Sequence, residues 1–167
     1  MEKQLSEMTN DELWRLFPII LTQHDPAWDK RCRSESALLE AAAGKENIAR
    51  MSHIGSTAVP GLLAKPTIDI LLEITAESDT EKLKEDLEHA GYIFAAQPEN
   101  PAPHMMFMKG YTPRGFEGQA FHVHVRYPGD WSELYFRDYL KEHKETADEY
   151  AALKTRLREK YGRDRDA

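Results

Sequence analysis

The residues best equipped for chemistry fall in two short segments, with a scatter of basic side chains around them. The first segment is His53-Ile54-Gly55-Ser56-Thr57-Ala58-Val59-Pro60-Gly61-Leu62-Leu63-Ala64-Lys65-Pro66-Thr67-Ile68-Asp69-Ile70. A Gly-Ser-Thr turn at the end of an expected strand can present backbone N–H groups free of Cβ hindrance, with two hydroxyls beside them, to a phosphate. The same tripeptide also serves as an ordinary tight turn with hydroxyl-to-backbone bonds. Asp69 is flanked by Ile68 and Ile70, and a carboxylate in an apolar strand is costly to bury unless it is paired, hydrogen-bonded or metal-bound. Strand alternation puts Leu71 and Glu73 on its face. Glu73 lies about 13 Å further along, too far to share one metal with Asp69, and reads as a solvated strand end.

The second segment, Phe121-His122-Val123-His124-Val125-Arg126, projects its two histidines to one face of a strand and its valines to the other. Two imidazoles on one face can bind a metal; equally, one can be a hydrogen-bonded interior group and the other a surface one. His53 and Asp69 could complete a metal site, although the lack of a cysteine at useful spacing weakens zinc. His104 is a further candidate on another expected strand. Lys65, Lys109, Arg114 and Arg126 stand at or near strand ends and loops, where a cation can meet a phosphate. Arg137 and Lys141, at i, i+4 on an expected helix, could extend that patch.

The elements that must position these groups follow from the pattern along the chain. Met1 to Leu16 reads as a short polar helix with Thr9 or Asn10 as N-cap, and the apolar run Phe17 to Leu21 as a strand. Asp25-Pro26 opens a helix to about Ala43, with Trp28, Cys32 and Leu39 on one face and Gly44 as the stop. Asn47 to Ile54 and Thr67 to Ile74 read as strands around a turn-rich connection. Ser78 or Asp79 caps a helix carrying Leu83, Leu87 and Ala90, ended by Gly91. Tyr92 to Ala96, His104 to Lys109 and Ala120 to Arg126 read as strands, with 110–118 as a flexible connection. Two helices close the chain, Trp131 to Glu142 and Lys144 to Tyr161, the second with Tyr150, Leu153, Leu157 and Tyr161 at helical spacing. The expected fold class is α/β or α+β, a mixed sheet flanked by helices with a C-terminal helical pair. The glycine fingerprint of a doubly wound nucleotide fold is absent.

At 167 residues, with 41% hydrophobic and 31% charged residues, the chain is expected to form one domain over 1–167, with 1–16 as an N-terminal extension. Cys32 has no partner for an internal disulfide, and Met1 to Asp11 carries no apolar signal core, so cytoplasm is the economical reading. No apolar run approaches the roughly 20 residues of a membrane helix, so no membrane role is expected. A formal charge of −7 disfavours long nucleic acids as partners and leaves room for a small anion on a local basic patch.

The block from His53 to Ile70 resembles the signature of the GrpB-like proteins. Asp25-Pro26-Ala27-Trp28, Phe121-His122-Val123-His124-Val125 and Phe136-Arg137-Asp138-Tyr139-Leu140 are similar to that family's other blocks, so the resemblance covers nearly everything from Pro18 onward. It implies a nucleotidyltransferase-superfamily fold, in which a Gly-Ser turn binds the triphosphate. Two acids one residue apart on the following strand, and a third from a neighbouring strand, hold divalent metals there. Gly55 and Ser56, with Thr57 beside them, match the turn, and Asp69 matches the first acid. Leu71 occupies the second acid position, which leaves a two-metal site short of a ligand. His122 or His124 stands in for the third acid.

The resemblance therefore implies a metal-dependent nucleotidyltransferase-like protein. Asp69, His122 and His124 would be its catalytic and metal-holding residues. Gly55, Ser56, Thr57, Lys65 and Arg126 would hold a nucleoside triphosphate or other small phosphorylated ligand, with Mg²⁺ or Mn²⁺ as cofactor. The alternatives are a binding module of the same fold without turnover, and a metal hydrolase built on His53, His122 and His124. Family members commonly continue into another helical segment after the position of Asp164-Arg165-Asp166-Ala167, so this chain reads as a shortened member.

Overall fold

The computed structural model describes residues 3–162, so the ends of the chain, including the expected point of shortening, lie outside the described residues. Five strands form one mixed sheet: β1 (Ile48–Ile54), β2 (Thr67–Ile74), β3 (Ile93–Ala96), β4 (Met105–Thr112) and β5 (Gly115–Arg126), in the order β1-β2-β5-β4-β3. The central pair β2 and β5 is parallel and the other three pairs are antiparallel. Around the sheet lie α1 (Asn10–Leu16), α2 (Ala27–Ala43), α3 (Thr80–His89), α4 (Ser132–Glu142) and α5 (Lys144–Tyr161).

Alternation along the central strands divides the sheet into two unlike faces. Ile68, Ile70, Leu72 and Ile74 of β2, with Val123 and Val125 of β5 and Phe107 of β4, are fully buried in one cluster with Trp28, Cys32 and Leu39 of α2 and Leu83 and Leu87 of α3. Burying each such side chain contributes about 1.5–3 kcal/mol, so this face holds the sheet rigid. The i, i+4, i+7, i+11 stripe of α2 includes Glu35, whose carboxylate accepts hydrogen bonds from the Tyr92 hydroxyl and, at 2.7 Å, from Lys109 Nζ. Lys109 is therefore an internal ion-pair partner on the helix-covered face and not part of a phosphate patch.

The opposite face carries Asp69, Leu71 and Glu73 of β2 beside His122, His124 and Arg126 of β5. Helices α4 and α5 close one side of it through a smaller cluster of Val59, Leu62, Leu140 and Ala147, and Phe17 packs on Tyr111 and Phe116 at the other. A cleft remains between them.

Several expectations are corrected. Phe17 to Leu21 is not a strand: Pro18 lacks a donor, Ile19 N–H bonds the Gly162 carbonyl at 3.2 Å, and the nearest strand-like pairing is an isolated bridge just past the segment, Thr22 to Ala64. Residues 110–118 are not a loose connection, since β4 and β5 continue through them as a hairpin pairing Tyr111 with Phe116 and Thr112 with Gly115. His104 precedes β4 in a turn, at φ 63, with its Nδ1 against the Asn100 carbonyl. On α5 the packed side is Ala147, Tyr150 and Ala151, while Leu153 and Leu157 are exposed. Other starts hold: Thr9 caps α1, Asp79 caps α3, and the Asp25 carboxylate accepts from the Ala27 N–H at the head of α2.

Candidate metal and anion site

On the open face the parallel register sets Asp69 opposite His122 and Leu71 opposite His124. Asp69 Oδ1 lies 2.9 Å from His124 Nε2 and 3.7 Å from His122 Nδ1, and one ligand atom from each residue falls within 4.8 Å of the others. All three side chains are about one-quarter exposed, so a ligand can reach them. Two imidazole nitrogens and one carboxylate form a donor set that suits a single divalent transition metal. The donor set does not extend to two metals. The cavity in front of Asp69 is lined by Ser56, Lys65, Thr67, Asp69, Tyr111, His122, Tyr150 and Lys154, with one carboxylate among them, and Leu71 at the second acid position is 1% exposed.

Gly55 sets the approach of the turn to Asp69. Its φ of 73° and ψ of −173° belong to a region open essentially to glycine, and a Cβ there would stand 2.7 Å from Asp69 Oδ2. Ser56 follows at the cavity wall. Thr57 does not: it is 2% exposed, and its hydroxyl bonds His53 Nε2 at 2.9 Å. His53 pairs with Ile70 in the sheet and so sits on the helix-covered face, away from Asp69, His122 and His124. The three-histidine cluster is not assembled. Arg126 also stands apart, opposite Glu73, packed over Trp131 and 3.6 Å from Glu133. Arg114 is exposed near the hairpin tip, Arg137 donates to the His53 carbonyl at 3.1 Å, and Lys141 does not line this cavity. Glu73 is not solvated: it is 1% exposed and accepts hydrogen bonds from Arg50, the Gly129 N–H and Trp131 Nε1.

Thr67, Tyr111, Tyr150 and Lys154 line the site without having been anticipated from the sequence, and two of them bond the expected residues. Tyr111 Oη lies 2.7 Å from His122 Nε2, which leaves Nδ1 directed at Asp69. It reaches this face because the register shifts between Lys109 and Tyr111, where Gly110, at φ 87, runs so close to β5 that an added Cβ would stand 2.6 Å from the Gln119 carbonyl oxygen; a bulge moves the following side chain to the other face. A lone glycine inside a strand pattern was the available signal. The second residue, Lys154 of α5, donates to Ser56 Oγ and, at 2.9 Å, to the Leu63 carbonyl. Burial, with the nearby charge of Lys65 adding to it, lowers its ammonium from the usual lysine value to about 8. Its place four residues after Tyr150, on the same helical side, was the readable sign.

Burial likewise lowers His53 to about 4, opposed by the carboxylates of Asp29 and Asp69. The unfolded chain takes up a proton as pH falls through about 6.5, whereas folded His53 does so only near 4, so stability falls with pH across that window. The full effect is at most about 3 kcal/mol before discounting for solvent screening. Urea titrations from pH 7 to 4 are expected to show this decline flattened in His53→Gln; parallel curves for the two proteins would remove His53 from the account.

Fold and site together define a mixed-sheet α/β protein with a single-metal donor set and two lysines around one cleft. The GrpB protein family matches residues 18–167, and the chain belongs to the GrpB family. It is 40% identical to a UPF0157 protein of Pseudomonas aeruginosa over 86% of this chain and 58% of that one, so it spans little more than half of that relative. It is 34% identical to the glutamate-rich protein GrpB of Alkalihalophilus pseudofirmus, over 87% of this chain and 84% of that one. A dephospho-CoA kinase of Mycolicibacterium paratuberculosis is 27% identical over 90% of this chain and 42% of that protein. The crystal structure of conserved protein GrpB from Enterococcus faecalis superposes with a TM-score of 0.73 at 31% identity, covering 85% of this chain and 84% of that one. Among the described residues, no helix is long and apolar enough to cross a membrane.

Proposed function

We propose that this chain is a nucleotidyltransferase-like protein that holds a nucleotide or other phosphorylated ligand against a single divalent metal. The observation that carries this reading is one cavity of about 290 Å³ lined at once by Asp69 and His122 of the donor set and by Lys65, Lys154 and Ser56. Two ammonium groups that repel each other across a half-buried cavity are stabilised by an anion placed between them. A phosphate there would accept from Lys154, Lys65 and the Ser56 hydroxyl, with charge-assisted hydrogen bonds doing most of the holding.

Asp69, His122 and His124 would hold the metal, with Tyr111 fixing the orientation of His122 from behind. Two nitrogen donors favour Mn²⁺ over Mg²⁺, which prefers oxygen ligands. When bound, the metal neutralises and orients phosphoryl oxygens. In transfer, an acceptor hydroxyl would attack the α-phosphorus and give up its proton to solvent, the bond to the bridging oxygen would break and pyrophosphate would leave, with the two lysines stabilising the charge that develops on it. A similarity to a dephospho-CoA kinase agrees with a nucleotide-related ligand.

Calorimetric titration tests the reading. Mn²⁺ is expected to bind the wild type and to bind Asp69→Asn about 100-fold or more weakly, since a ligand removed costs at least what a lost outer partner costs. Tripolyphosphate is expected to bind in the presence of Mn²⁺ and to lose affinity in Lys154→Met, whose Mn²⁺ affinity stays. Equal Mn²⁺ affinity in wild type and Asp69→Asn would sink the metal site.

A second reading, binding without turnover, is favoured by Leu71 in place of the second acid. Pyrophosphate release from nucleoside triphosphates decides between them. Turnover by the wild type supports transfer; turnover that appears only in Leu71→Asp supports a binding module.

A further inference from the structure

The phosphate cavity does not end at Lys65 and Thr67. Those two residues also border a second cavity of about 220 Å³, walled by Pro18, Ile20, Pro66 and Phe116 and floored by the start of β5 at Gly118, Gln119 and Ala120. It lies on the same face of the sheet, because Thr67 pairs with Ala120 one alternation step before Asp69 pairs with His122. Its character is the reverse of its neighbour's. Phe116 and Ile20 are each 40% exposed and share its wall with two prolines. The Gln119 amide is engaged: its Nε2 donates to the Pro66 and Ala120 carbonyls, and its Oε1 accepts from Arg31. What the cavity offers a ligand is apolar contact and few hydrogen bonds.

We infer that this apolar cavity seats an aromatic ring of the same phosphorylated ligand, so that the ligand class is a phosphate ester of a planar, ring-bearing alcohol such as a nucleoside. The inference rests on the phosphate reading above and adds the part of the ligand that reading leaves open. Size supports it: each cavity alone is below the roughly 300–1,000 Å³ of small-molecule sites, and the two, which share Lys65 and Thr67 in their walls, together fall within that range. Chemistry supports it as well. A purely inorganic phosphate would leave Phe116 and Ile20 facing water, whereas a ring laid against them gains contact without needing a matched donor or acceptor. Lys65 stands at the junction, where it can follow the first phosphate out of the apolar part.

The test compares tripolyphosphate with ATP, GTP, CTP and UTP by calorimetry, each with Mn²⁺, on the wild type, Phe116→Ala and Ile20→Ser. At least one nucleotide is expected to bind about ten-fold or more tightly than tripolyphosphate, the increment that stacking of one ring supplies. Both variants are uncharged at the substituted position and are expected to lose most of that increment while keeping the tripolyphosphate affinity of the wild type. Phe116 also touches Phe17 and Tyr111, so Mn²⁺ affinity in Phe116→Ala reports whether His122 has moved, and Ile20→Ser carries the conclusion if it has. Nucleotides no tighter than tripolyphosphate, or an increment that survives intact in Ile20→Ser, would overturn the inference while leaving the phosphate site standing. If tripolyphosphate itself does not bind, the phosphate reading fails and this one fails with it.

Discussion

Glu73→Ala is expected to lower the free energy of unfolding by about 3 kcal/mol. The carboxylate is 1% exposed at the end of β2, and its donors come from two other segments: Arg50 from β1, and the Gly129 N–H and Trp131 Nε1 from the turn leading into α4. Arg50 is half exposed, so water can replace part of its loss, which keeps the figure below the worst case for a broken buried pair. Trp131 Nε1, in a half-buried ring, would lose its acceptor. The same carboxylate ties the head of α4 to the sheet, so its removal is also expected to loosen Trp131 and the Arg126 guanidinium stacked on it. Glu73→Gln, which preserves volume and one acceptor, is expected to lose about half as much. Urea unfolding followed by tryptophan fluorescence measures both; a loss under about 1 kcal/mol in Glu73→Ala would show that the network does not hold this end of the sheet.

That network illustrates why part of the molecule was legible in the sequence and part was not. The β-branched run Thr67 to Ile74 announces β2, and the same alternation places Asp69, His122 and His124 on one face once β2 and β5 are neighbours. The signals were local, with a period of two and caps at fixed offsets. Glu73 looked like a solvated strand end because its partners are distant in sequence and each is unremarkable alone. Thr57 was assigned to the ligand as a second hydroxyl beside Ser56 and Arg126 as a cation near a strand end, but tertiary packing decides: Thr57 turns inward to His53, and Arg126 lies a further alternation step from the site, against Trp131. Tyr111 depends on one extra residue at Gly110, which reverses the face its ring occupies, and Lys154 depends on how α5 docks over the Ser56 turn. Positions fixed by tertiary docking carry no period to read. The resemblance to a known family supplied the turn and the first acid, and Leu71 already marked where the pattern departs from it.

Gly55→Ala is expected to damage both stability and metal binding, for two causes that can be separated. The backbone there, φ 73° and ψ −173°, costs a non-glycine residue of order 1–3 kcal/mol by itself. The added Cβ would also stand 2.7 Å from Asp69 Oδ2 and 3.3 Å from Asp69 Cβ, distances that force a displacement. The carboxylate is the part free to move, and rotating it away breaks its 2.9 Å contact with His124. The combined loss is about 2–4 kcal/mol of stability, and Mn²⁺ affinity should fall as it does in Asp69→Asn. Gly61→Ala provides the comparison: its φ is also positive, at 77°, but nothing lies within 4 Å of the Cβ it would gain. It should carry backbone strain and bind Mn²⁺ like the wild type. If Gly55→Ala is destabilised yet keeps full Mn²⁺ affinity, Asp69 has not been displaced and the turn is holding something other than the carboxylate in place. If both affinity and stability drop while Gly61→Ala loses stability alone, the absence of a side chain at Gly55 is what lets the Ser56 turn and the Asp69 carboxylate occupy adjoining space.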